Sequence, residues 1–94
     1  MSDESISKRE VTLRVAQGLH LTPIQQLVRK ATEYPCQISL EFDGRSADVK
    51  SVFDLMLLAA PFGSVMTLQA RGSGAEDAVN SLAQLFDGGF VITE

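Results

Sequence analysis

His20 is the only histidine in the chain, and its neighbours suit it to chemistry. An imidazole titrates near neutral pH, so it serves there as a nucleophile or a proton carrier. Gly18 lies just before it and lets the backbone turn tightly. Pro23 follows, and proline fits the first turn of a helix because its missing N–H has no intrahelical partner to lose. His20 is therefore expected at the N-cap of a helix. There the N–H groups of Leu21 and Thr22 are free and the helix dipole is positive, a setting that receives anions such as phosphate. The plain alternative is a solvated histidine in a capping loop.

Other reactive side chains are sparse. Cys36 is the single cysteine, which excludes an internal disulfide and offers nothing to pair with in a metal or redox motif. It reads as a small apolar residue near the start of a strand. Ser51 followed by Asp54 reads as a capping box that opens a short helix. With no second histidine and no paired acid and base, a stand-alone hydrolase is disfavoured. An RNA-binding sandwich is disfavoured too, for want of a basic aromatic strand or a GXXG clamp.

The elements that must position His20 are legible in the hydrophobic period. Val11, Leu13 and Val15 alternate with polar residues, giving a strand with one buried face. Ile24, Leu27, Val28 and Ala31 form the stripe of an amphipathic helix, which Tyr34-Pro35 ends. Ile38, Leu40 and Phe42 make a second strand, and Asp43-Gly44 a hairpin turn into the next. If Phe42 faces Arg45, then Leu40 faces Ala47 and Ile38 faces Val49, so that both apolar pairs share one face. A short helix runs from Ser51 through Leu58, with Leu55 and Leu58 expected in the core. Met66, Leu68 and Ala70 mark a fourth strand. Ala75, Ala78, Val79, Leu82, Leu85 and Phe86 stripe a last helix, which Gly88-Gly89 stops.

This order predicts an α+β fold, an open-faced β-sandwich with a four-stranded, mainly antiparallel sheet and three helices on one face (βαββαβα). Thr12, Arg14, Ser39, Glu41, Ser46, Asp48, Thr67 and Gln69 fit its polar face. Residues 1–94 make a single domain, with 1–9 a flexible N-terminal extension and 88–94 a C-terminal one. Apolar residues are 45% and charged residues 21% of the chain, a globular composition. A net charge of −4 and a pI of about 4.8 argue against a nucleic-acid partner. The opening MSDESISKRE lacks the apolar segment of a secretory signal, and the longest apolar run, Leu55 to Pro61, is too short for a bilayer. The expected location is the cytoplasm.

The segment Gly18-Leu19-His20-Leu21-Thr22-Pro23 resembles the active-site segment of the histidine-containing phosphocarrier (HPr) family, usually Gly-Leu/Ile-His-Ala-Arg-Pro. Lys50-Ser51-Val52 resembles the family's Lys-Ser-Ile/Leu, at the same separation, and Asp43-Gly44 its hairpin. The similarity covers about residues 10 to 87. It implies that His20 accepts a phosphoryl group from phosphorylated Enzyme I and passes it to a sugar-permease component or a regulatory target. The protein would be a transfer intermediate rather than a stand-alone enzyme, a monomer with no metal or organic cofactor. Backbone N–H groups of Leu21 and Thr22 would hold the phosphate. Val52, Phe53, Met56 and Arg29 would meet partner proteins, and Ser51 would be the target of an ATP-dependent serine kinase. Thr22 departs from the family's arginine and supplies no positive charge to the phosphate. Arg29 and Lys30 lie too far along the helix to replace it, which leaves Arg45 or another basic residue to approach through the fold. The departure supports an alternative: a regulatory protein-binding module on the same fold, with phosphotransfer weakened or lost.

Overall fold

A computed structural model describes residues 5–91. The elements are β1 (Ile6–Thr12), α1 (Leu21–Ala31), β2 (Gln37–Phe42), β3 (Arg45–Asp48), α2 (Val52–Leu58), β4 (Val65–Arg71) and α3 (Ala75–Asp87), with a 3-10 turn at Gly89–Val91. The four strands form one sheet in the order β1-β4-β2-β3, and every neighbouring pair is antiparallel. This is the open-faced βαββαβα arrangement expected from the hydrophobic period.

Side-chain alternation decides which face of the sheet is covered. Val11, Ile38, Leu40, Ala47, Met66, Leu68 and Ala70 point to one side and are buried beneath the helices. α1 contributes Ile24, Leu27 and Ala31 to this core, α2 Leu55 and Leu58, and α3 Ala78, Val79, Leu82 and Phe86. On the bare side, cross-strand partners are polar: Ser39 lies between Gln69 and Asp48, and Glu41 between Thr67 and Ser46. The hairpin pairs Phe42 with Arg45 and Leu40 with Ala47, the register that buries both apolar positions. Beyond the last ladder pair, the Val49 N–H still donates to the Ile38 carbonyl at 3.0 Å. Within the turn Asp43 and Gly44 both take positive φ (53° and 76°), the twist a two-residue hairpin loop requires.

Both chain ends differ from expectation. β1 starts at Ile6, and the segment expected as a flexible extension pairs in register with β4 from Ile6↔Arg71 to Thr12↔Val65. Residues 6–9 lack an apolar alternation because Arg9 does not enter the core. It lies near α3, with its guanidinium 3.4 Å from the Asn80 side chain and 3.7 Å from the Asp87 carboxylate. Main-chain pairing with β4 makes them strand. Conversely, Val15 is buried but lies past the strand's end. At the other terminus, Gly88–Val91 fold back on the core, and Phe90 is fully buried edge-on to Phe86, ring centroids 4.8 Å apart. The rest of each expected extension, 1–4 and 92–94, lies outside the described residues.

Candidate phosphoryl site and its surroundings

His20 is the N-cap of α1, extended at φ −96° and ψ −173°, and its side chain makes no capping hydrogen bond. Its backbone does the structural work instead. The His20 N–H donates to the Gly18 carbonyl at 2.9 Å, and the His20 carbonyl accepts from the Ile24 N–H at 3.1 Å. That leaves the ring, on a half-buried residue, outside the helix's own bonding. Leu21 and Thr22 follow in the first turn, where N–H groups have no acceptor four residues back. Both side chains are exposed, so an anion held there would be reached from solvent.

The loop that presents His20 rests on the corner between α2 and β4. Leu19 is buried, and its N–H donates to the Ala60 carbonyl at 2.9 Å. Gly18 has a φ of 76°, and a Cβ there would come within 2.7 Å of the same carbonyl oxygen. A side chain at this position would push the loop off its seat, so the glycine serves contact as well as turning. The sequence gives a reason for Gly18 but none for Ala60, which is distant in the chain.

Arg45 does not serve as the missing arginine. Its guanidinium donates to the carbonyls of Leu57 (3.2 Å) and Leu58 (3.1 Å), in the last turn of α2. Arg29 is exposed in the last turn of α1, opposite the end that carries His20 and roughly 13 Å along the axis from it. Lys50 is also committed: its Nζ donates to the carbonyls of Tyr34 (2.6 Å) and Cys36 (2.9 Å), tying the α1–β2 connection to the start of α2. Cys36 is buried and free.

Ser51 caps α2, its Oγ accepting the Asp54 N–H at 3.2 Å. The reciprocal half of the expected capping box is absent. The Asp54 carboxylate accepts from the Asp48 N–H (3.3 Å), and the Ser51 N–H is taken by the Asp48 carbonyl (2.9 Å). With Leu55 and Leu58 facing inward, helical geometry turns Val52, Met56, Phe53 and Leu57 outward on one arc. Phe53 is 69% exposed, Leu57 58% and Met56 54%, with Val52 at the margin. Leu57 and the exposed Phe62 were not singled out from sequence. The signal for Leu57 was its place two residues after Leu55, nearly on the opposite side of the helix from it; Phe62 sits in a loop, where no period applies.

A family model for the PTS HPr component phosphorylation site matches residues 7–87. The chain belongs to the HPr phosphocarrier family. Similar members include the phosphocarrier protein HPr of Borreliella burgdorferi, 36% identical over 80 residues, or 85% of this chain and 93% of the relative. That of Vibrio cholerae is 35% identical over 80 residues, covering 85% and 94%. Among solved structures, an HPr of Thermoanaerobacter tengcongensis superposes with a TM-score of 0.88 at 27% identity, covering 94% of this chain and 99% of that one. The HPr of Bacillus anthracis gives 0.82 at 30% identity, covering 87% and 98%. Membership places the chain among the phosphocarrier family of the phosphotransferase system. Among the described residues no helix is long and apolar enough to cross a membrane.

Proposed function

We propose that this member of the HPr family carries a phosphoryl group on His20, taken from phosphorylated Enzyme I and delivered to a sugar-permease component or a regulatory target. A ring nitrogen attacks phosphorus, a P–N bond forms, and the donor's bond to phosphorus breaks. The first-turn N–H groups of Leu21 and Thr22 receive the oxygens, on which charge spreads during transfer. One observation carries the reading: the His20 side chain stands at a helix N-terminus without taking part in its capping. The outward arc of α2, with Phe53, Met56 and Val52, docks the protein partners, and Arg29 adds a charge on the neighbouring helix. Ser51 is the target of a serine kinase; a phosphate there would meet the positive start of α2, with Asp54 as a nearby like charge.

The test is incubation with phosphoenolpyruvate and Enzyme I, followed by mass measurement. One phosphoryl group should add, labile in acid and stable in base, and His20→Ala should abolish the addition while the fold is kept. Equal labelling of the variant defeats the reading. A second reading, a regulatory docking module without phosphotransfer, draws on Thr22 and on the commitment of Arg45 to α2. It predicts no mass increase alongside retained binding of Enzyme I.

A further inference from the structure

We propose that Arg45 is a positioning residue for the phosphotransfer site, holding the corner on which both the His20 loop and the docking arc are mounted; this rests on the phosphocarrier reading above. The carbonyls of a helix's last turn have no partners within the helix and carry the negative end of its dipole. In α2 two of them, those of Leu57 and Leu58, are met by one guanidinium from the first residue of β3. No basic residue of α2 itself does this, since its last turn has none. A forked, charged donor satisfies two acceptors at once, which a lysine's point charge does less well.

What this turn supports makes the contact more than a cap. Immediately after it, Ala59 adopts a left-handed conformation (φ 49°, ψ 39°), an unfavourable state for a residue with a Cβ, and its N–H donates to the Met56 carbonyl. The next residue, Ala60, offers the carbonyl that holds the Leu19 N–H, against which Gly18 packs. A continuous path therefore runs from the Arg45 guanidinium through the end of α2 to the residue before His20. The same turn displays Met56 and Leu57. Arg45 sets how the docking side chains and the phosphoryl acceptor lie relative to each other, from a hairpin that contains neither.

The test compares Arg45→Met, which keeps an apolar stem and removes the donors, with Arg45→Lys, which keeps the charge. Amide hydrogen exchange is read at Leu19 and, as a control for global opening, at Leu68 in the central part of β4. In Arg45→Met, Leu19 should exchange about tenfold faster relative to Leu68, as expected for the loss of hydrogen-bonded support. The KM for phosphorylated Enzyme I should rise about fivefold, with a smaller change in kcat, and Arg45→Lys should fall between. Exchange at Leu19 that keeps its ratio to Leu68, or an unchanged KM, overturns the proposal. If Arg45→Met does not fold, the same criteria apply to Arg45→Lys. Failure of the wild-type protein to take up a phosphoryl group would overturn the carrier reading instead, and the exchange ratio would still decide whether Arg45 holds the corner.

Discussion

Thr22 stands two residues after His20, exposed in the first turn of α1, where it can offer a transferred phosphate a backbone N–H and a neutral hydroxyl. It lacks charge, and charge-assisted hydrogen bonds are about twice as strong as neutral ones. Because the position faces solvent, a longer side chain fits without entering the core. Thr22→Arg should therefore accelerate phosphorylation by Enzyme I roughly tenfold, equivalent to about 1.4 kcal/mol, measured as initial rates against the unmodified protein. No gain would mean that another group already steadies the phosphate. At this scale the sequence was informative wherever the cause was local. Gly18, His20 and Pro23 are close neighbours in the chain, and the glycine and the proline announce a turn and a helix start on either side of the histidine. The Leu19–Ala60 bond joins residues far apart in sequence, and neither type advertises it. Arg45 was legible as a cation, but its destination depended on the hairpin's place beside α2.

The short helix α2 divides its residues cleanly between packing and display. Leu55 and Leu58 are buried, and Phe53, Met56 and Leu57 are well exposed. Such apolar exposure is what the proposed docking arc requires. Phe53→Ala with Met56→Ala should weaken association with Enzyme I by about 1–3 kcal/mol, while leaving the thermal midpoint nearly unchanged. Titration calorimetry and a melting curve on the same sample separate the two effects; a large fall in midpoint with normal binding would assign these side chains to stability. Elements with a single clean period, α1, α2 and α3, could be read from sequence. β1 was displaced because two signals disagreed: the buried residues run on to Val15, whereas the strand's hydrogen bonds begin at Ile6. Side-chain alternation reports burial, and an edge strand whose early residues face water leaves little trace in it.

Across the whole molecule, the C-terminal turn closes the core that the helices and sheet leave open. Phe90 is buried against Phe86 despite a positive φ of 60°, and its carbonyl accepts from the Gln26 side chain at 2.8 Å, so the turn also ties α3 to α1. Burial of a phenyl ring outweighs the cost of about 1–2 kcal/mol for the left-handed backbone. Phe90→Ala should destabilise the protein by about 3–5 kcal/mol in urea titration; a loss below about 1 kcal/mol would mean that the ring is dispensable. Gly88-Gly89 correctly marked the end of α3 in the sequence, but a helix stop does not say whether the chain leaves or returns. The strand order carries a further consequence, for the way the chain is made. Of the four strands β1 leaves the ribosome first, yet its partner is β4, and the pair Ile6↔Arg71 is separated by most of the described residues. The β2–β3 hairpin can zip as soon as its own residues emerge, but β1 must wait, unpaired, until β4 is synthesised. Local pairing precedes long-range closure because loop closure costs more entropy over a longer span. Of the four strands, β1 thus waits longest for its partner, and the sheet closes only after β4 has been made.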